Sequence, residues 1–337
     1  MSLRGVNVNH TLPAEVLQIA EDIRSMKIRG AGRIARAAVK ALKIAALAYK
    51  GSELEDFYEY MKYTSKLILA TRPTAVSLPN AVAYVMSRLS KNIESFTLEE
   101  ARSKVAEWAD EFIEYSLRAT ELIGEIGEGR IKSGDTVLTH CNSSAALSVI
   151  ITAHRKGKDI KVYACETRPR FQGRITVRTL AKEGIDVTLI PDSAVRFFMK
   201  DVDLVVVGAD TVAANGAVVN KIGTSMIALA AHEARVRVFV AAETYKFSPA
   251  TVIGELVTIE ERSPTEVVSE EFLKKYPGIK VRNPAFDVTP PEYIDAIITE
   301  KGIISPHAAI LVLKEEFAWA LEDRMKKLRL AVEYETE

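Results

Sequence analysis

Between about Pro13 and Glu125 the apolar positions recur every three to four residues, the spacing of one helix face. Val105, Trp108, Ala109, Phe112, Ser116, Ala119 and Ile123 fall on one such stripe. Ile34, Ala38, Ala41, Leu42 and Ala45 form another between Gly32 and Lys50. Thr71-Arg72-Pro73 and Leu78-Pro79-Asn80 interrupt the pattern, because proline lacks the N–H that a helix interior uses. After Gly127-Glu128-Gly129 the period changes. The short apolar runs DTVLTHC, DIKVYACE, DVTLIPD, DLVVVGAD and RVFVAAE alternate with helical stretches, which predicts βαβ units and a parallel sheet. Runs this apolar suit strands buried on both faces. The expected fold is α/β, with a helical N-terminal domain over 1–127 and an open parallel-sheet domain over 128–337. Pro277 to Pro291 reads as loop. Ser305-Pro306 opens a last helix expected to end near Glu322, whose Phe317, Ala320 and Leu321 suit an interface or the core equally.

Each predicted strand ends in reactive groups: His140-Cys141-Asn142-Ser143, Glu166-Thr167-Arg168-Pro169, Asp192-Ser193, Gly208-Ala209-Asp210 and Glu243-Thr244-Tyr245-Lys246. In open parallel sheets ligands bind outside the carboxyl ends of the strands. Cys141 stands where a strand hands over to a helix starting near Ser143, and a helix N-terminus is expected to lower its thiol pKa. Cys165 lies inside an apolar run and reads as packing. No further Cys or His stands at ligand spacing, so a metal site on the two cysteines is not expected. His140 either orients a neighbour or fills space. Asp210 follows VVVGA, so it either keeps its proton in apolar surroundings and acts as an acid, or caps the next turn. Lys221, in Asn220-Lys221-Ile222-Gly223, holds an anion or is simply solvated. Arg168, Arg170, Gln172 and Arg174 make the most cation-dense loop of the sheet, a natural phosphate contact.

Composition narrows the classes. Of 337 residues 48% are hydrophobic, enough for a sizeable core, and 45 basic residues balance 45 acidic ones. A neutral chain without a basic tail is a poor nucleic-acid binder. No apolar run reaches the ~18 residues of a membrane span, and MSLRGVNVNHTLP has no signal-peptide core. Two cysteines make no disulfide framework. A cytoplasmic globular protein is expected.

Gly30-Ala31-Gly32-Arg33-Ile34-Ala35 matches a dinucleotide fingerprint but follows the helical LQIAEDIRSMK rather than a strand, so nicotinamide binding is rejected. A glycine-rich turn at a helix start still cradles phosphate with its amides, and Arg29 adds charge. One phosphate site is therefore expected in each domain.

THCNSSAAL, ETRPRFQGRITVRTLAKEGIDVTLIPDSA, VGADTVAANGAVVNKIGT and AAETYKF, with RGAGRIAR and TRPTAVSLPNA upstream, resemble the superfamily of sugar-1-phosphate isomerases and initiation factor 2B regulatory subunits. Within it the chain looks most like the archaeal ribose 1,5-bisphosphate isomerases. The resemblance implies a Rossmann-like catalytic domain and an aldose–ketose isomerase of nucleoside-monophosphate salvage that forms ribulose 1,5-bisphosphate through a phosphoenolate. It implies Cys141 and Asp210 as the catalytic pair. By motif it implies substrate contacts at Arg29, Gly30, Ala31, Arg72, Ser143, Arg168, Gln172, Asn220, Lys221 and Lys246. It implies no metal or other cofactor, activation by AMP, and a homo-oligomer, a hexamer built from dimers. Ser144 departs from the lysine that family members often carry there. Methylthioribose-1-phosphate isomerases share the Cys and Asp but typically read RGAP, and glycine-rich after CN. Regulatory subunits share the fold without the pair.

Overall fold

The computed structural model describes residues 11–72 and 74–318, and the chain divides into two compact units, Met1–Arg118 and Ala119–Glu337. The first is helical: α1 Ala14–Arg24, α2 Ala31–Ala48, α3 Leu54–Leu69, α4 Ser77–Asn92 and the start of α5 Leu98–Gly127, which runs past the division. Both stripes read from the sequence are buried. Thr97 and Glu100 open α5 with a reciprocal capping box: the Thr97 N–H donates to Glu100 (2.7 Å), and the Glu100 N–H donates to the Thr97 hydroxyl (3.3 Å). At the C-terminal end of α2, Arg102 donates to the carbonyls of Ala46 and Leu47 (3.1 and 2.7 Å), where the last carbonyls lack partners inside the helix. Pro79 does not interrupt helix after all. It lies in the first turn of α4, where a missing N–H costs nothing.

The second unit is built on a seven-stranded sheet. Its strands β1 Thr136–Thr139, β2 Lys161–Cys165, β3 Asp186–Ile190 and β4 Leu204–Gly208 are followed by a hairpin, β5 Thr211–Val212 and β6 Val218–Lys221. Then come β7 Arg237–Ala241, β8 Phe286–Thr289, β9 Ala296–Thr299 and β10 Gly302–Ile304. The large sheet runs β10-β9-β7-β4-β1-β2-β3, and β5-β6-β8 form a small one. Every pairing in the large sheet is parallel except β9 with β10. The helices are α6 Ser144–Arg155, α7 Gly173–Lys182, α8 Val195–Phe198, α9 Thr224–Ala234, α10 Glu270–Lys275 and α11 Ala309–Glu316.

Adjacent strand residues point to opposite faces, and both faces are covered. Val137, Val162, Leu204, Val206 and Phe239 pack with Ile150 of α6 and Leu180 of α7. Leu138, Val205, Val207, Val238 and Val240 pack with Ile227 of α9 and Leu313 of α11. That double burial is why these strands read as unbroken apolar runs. The edge strand β3 differs, with Leu189 exposed. Two expectations change. The segment read as loop contains β8, which pairs antiparallel with β6; its Pro and Asn flanks hid a strand that only the partner defines. The last helix is described to Glu316, Phe317 after it packs in the core, and Ala320, Leu321 and Glu322 lie outside the described residues.

Candidate functional site

The chain lays down β1, β2 and β3 outward in one direction and then places β4 on the other side of β1. β1 and β4 therefore flank the topological switch point, where an open α/β sheet leaves a crevice beyond its carboxyl edge. They pair in register, Val137 with Leu204 and Leu138 with Val205, so His140-Cys141 and Ala209-Asp210 leave the sheet beside each other. Gly208 makes the approach close: a Cβ on it would collide with the Ser143 side chain. Ser143 is the N-cap of α6, accepting from the Ala146 N–H at 3.3 Å.

Cys141 is held in a left-handed backbone conformation, φ 67°, which costs free energy for a residue with a Cβ. Two threonines hold it there. Its N–H donates to Thr167 Oγ1 (2.9 Å), and its carbonyl accepts from Thr176 Oγ1 (2.7 Å). Thr167 is itself at φ 63° and Phe171 at φ 56°. Three strained non-glycine residues thus meet around one turn, the pattern of a site held by its surroundings. Asp192 fixes the Thr167 turn by accepting the amides of Thr167 and Arg168 (2.8 and 2.7 Å).

His140 resolves as an orienting group. It is buried, and its Nε2 lies 2.9 Å from the Ile222 carbonyl. A carbonyl only accepts, so Nε2 carries the proton. Burial lowers the imidazole pKa against the opposing pull of Ile222 and Asp192, which keeps the ring neutral. The ring therefore ties the Cys141 turn to the Asn220–Gly223 segment. Gly223, at φ 100°, makes room for it: a Cβ there would come within 3.3 Å of the ring. His140, Cys165 and Asp192 also bring one ligand atom each to within 4.8 Å of one another, a grouping that spacing along the chain does not reveal.

The thiol itself overturns an expectation. Burial pushes Cys141 up to about 11, helped by the Asp210 carboxylate, while Lys221, an Asn142 backbone hydrogen bond and Arg262 pull it down. Desolvation outweighs the helix terminus. Asp210 is half-buried and its N–H donates to Val219 O at 2.9 Å; its carboxylate takes no hydrogen bond among the described residues.

Asn220 and Lys221 end β6, and both are buried. Asn220 Nδ2 donates to Thr224 Oγ1 (3.0 Å), and Lys221 Nζ donates to the Ala285 carbonyl (2.9 Å) while resting 4.6 Å from the Phe286 ring centre. Burial lowers the Lys221 pKa, and Cys141, Asp210 and Glu260 oppose that. Lys221 is thus a buried cation rather than a solvated one. Lys246 is also buried, paired with Glu243 at 2.6 Å.

Among the other residues read from the sequence, Gln172 contributes a buried side-chain oxygen that has no hydrogen-bond partner among the described residues, ready to accept from a hydroxyl. Arg168 is exposed, donates to Val267 O (3.2 Å) and stacks on Phe171. Arg170 pairs with Glu266 at 2.9 Å. In the first unit Gly30 is the N-cap of α2 at φ 93°, beside exposed Arg29. Ser77 donates to the Ala31 carbonyl (3.0 Å), which ties that turn to the start of α4, close in sequence to buried Arg72.

Residues 27–306 match the initiation factor 2 subunit family. The chain belongs to that family. Similar members include the ribose 1,5-bisphosphate isomerase of Methanocaldococcus jannaschii, 58% identical over 299 residues that cover 89% of this chain and 94% of that protein. Among solved structures, a 5-methylthioribose 1-phosphate isomerase from Pyrococcus horikoshii matches with TM-score 0.75 and 32% identity over 90% of this chain and 87% of that one. A translation initiation factor eIF-2B from the same organism matches with TM-score 0.74 and 32% identity over 89% and 100%.

In this member of the initiation factor 2 subunit family, three residues near the site escaped the sequence reading, and a fourth, Thr167, was named there only as part of a strand end. Thr167 and Thr176 act through backbone contacts that no motif announces. Asp287 on β8 accepts the amides of Gly223 and Ser225 (2.7 and 3.1 Å), capping α9 from outside. Arg262 lies in Glu260-Glu261-Arg262, which reads as an ordinary solvated charge run.

Proposed function

We propose that this chain is an isomerase converting ribose 1,5-bisphosphate to ribulose 1,5-bisphosphate. The observation that carries the reading is a thiol and a carboxylate leaving neighbouring strands at the switch point, with a buried lysine whose charge acts with both. The named activity of the M. jannaschii relative supports it. We assign catalysis to residues 128–337 and a phosphate contact at Arg29–Ala31 and Arg72 to residues 1–127.

The chemistry balances with two groups. The Cys141 thiolate takes the C2 proton, the electron pair forms the C1–C2 double bond, and the C1–ring oxygen bond breaks as Asp210, which enters the step as the carboxylic acid, protonates that oxygen. In the resulting phosphoenol, Cys141 returns its proton to C1 while the Asp210 carboxylate takes the proton of the 2-hydroxyl, leaving the ketone. Both groups end as they began. A thiol at about 11 holds its proton at neutral pH, so the thiolate is a minor form that Lys221 favours. Ser143, Arg168, Gln172, Asn220 and Lys246 orient the sugar and its phosphates, whose remote binding energy positions the reacting carbons. The finer features rest on the family resemblance: a homohexamer built from dimers, activation by AMP, a place in nucleoside-monophosphate salvage, and a cytoplasmic location. No helix among the described residues is long and apolar enough to cross a membrane.

The test is direct. Purified protein is given ribose 1,5-bisphosphate, and the ketose is followed by NMR with and without AMP. Cys141→Ser and Asp210→Asn are each expected to lower kcat by about 10²–10⁴, the usual share of a general acid or base, with unchanged circular dichroism. Turnover of methylthioribose 1-phosphate instead would transfer the assignment to the sister activity. Stoichiometric capture of initiation factor 2 without any turnover would replace it with a regulatory role.

A further inference from the structure

Arg262 has no part in the scheme above, yet its surroundings suit a ligand. Its side chain is only 8% exposed. Its Nε donates to Glu260 Oε1 at 2.9 Å, and its two terminal NH2 groups have no hydrogen-bond partner among the described residues. The backbone holds the residue firmly: the Arg262 N–H donates to Asn283 O (2.9 Å), next to a bridge between Glu261 and Pro284. Lys221 Nζ and Arg262 Cζ lie 4.6 and 5.8 Å from the centre of the same Phe286 ring. Lys221 commits one of its donors to Ala285. Two cations therefore stand near one aromatic ring, with N–H groups not committed to protein partners among the described residues. The terminal nitrogens of Arg262 are not among the sealed, partnerless atoms, so an anion entering from solvent can take them as donors.

We propose that Arg262 is a further substrate-binding residue, which holds, together with Lys221, the phosphate on C1. This rests on the isomerase reading. A guanidinium fork matches phosphate oxygens in a way a single ammonium does not. The choice between the two phosphates follows from position. Arg262 shares the Phe286 ring with Lys221, and His140 ties the segment of Lys221 to the turn of Cys141, so Arg262 stands on the side of the site where the C2 proton is taken. The phosphate beside C2 is the one on C1, and the other sits at the far end of the sugar. The same cation helps to stabilise the negative charge that builds up along the C1–C2 bond.

Arg262→Gln and Arg262→Lys are compared with the wild type. In the glutamine variant KM for ribose 1,5-bisphosphate is expected to rise about ten- to a hundredfold, the loss of a hydrogen bond to a charged group, with a smaller fall in kcat. Lysine, which keeps the charge but not the fork, is expected to recover part of it. A second arm needs no sugar. Inorganic phosphate should slow iodoacetamide alkylation of Cys141 in the wild type and lose that protection in Arg262→Gln. A wild type that turns over the substrate, with a glutamine variant of unchanged KM, overturns the role of Arg262 and leaves the isomerase standing. Equal phosphate protection in both proteins overturns it as well. A wild type without turnover overturns the isomerase reading, and lost protection in the variant then still supports an anion site at Arg262.

Discussion

The ends of β1 and β2 each carry a cysteine, and the two could hardly differ more. Cys165 is the last residue of β2, fully buried in the apolar layer beneath α9 and α11. Cys141 lies just past the end of β1, partly exposed, with its backbone in a left-handed conformation. Burial raises both thiols. On Cys165 the Asp192 carboxylate adds to the rise and no cation opposes it. On Cys141 two cations, Lys221 and Arg262, pull back. A displacement of two residues along a strand end separates a packing group from a reactive one, and the neighbours rather than the residue type make the difference.

The comparison can be broken in three ways. The largest effect concerns activity: Cys141→Ala is expected to abolish turnover of ribose 1,5-bisphosphate by about a thousandfold or more, whereas Cys165→Ala should keep kcat within a few-fold and lower stability by on the order of 1–2 kcal/mol, read from denaturant unfolding. Equal losses of activity would mean that the two cysteines act together. Next comes pH. Because the Cys141 thiol is raised to about 11, its reactive form grows as pH rises. The rate of alkylation of Cys141 in the native protein should climb about tenfold per pH unit from 7 toward 10, while Cys165 is alkylated only after unfolding. A thiol already fully reactive at pH 7, by mass spectrometry of alkylated peptides, would contradict the balance between burial and the cations. The smallest effect tests the packing of the two strand ends. Gly208→Ala puts a methyl against Ser143 and should cost about 1–3 kcal/mol of stability as an overpacking change, with a drop in activity as Ser143 and the turn of Cys141 give way.

The seat of the reactive groups was legible because β1 and β4 are central strands. Their apolar runs mark where the sheet is, and the polar residues after them mark where it stops. The small sheet was not legible. β6 ends in Asn-Lys and β8 follows Asn-Pro, so neither carries the apolar run of a strand buried on both faces, and only their mutual pairing defines them. The same holds for Arg262 and Asp287. Each reaches the site through backbone pairing between distant segments, and a charge in a polar stretch looks the same whether it is solvated or buried.

By itself the chain determined the alternation of strands and helices, the helical stripes, and the chemical types gathered at the carboxyl edge, since periodicity and residue type are local properties. The tertiary structure alone decided that β4 returns beside β1, that the thiol is raised rather than lowered, and which cations stand near it. Strand order, desolvation and Coulomb forces between groups far apart in sequence depend on distances in space, and those exist only once the sheet has closed.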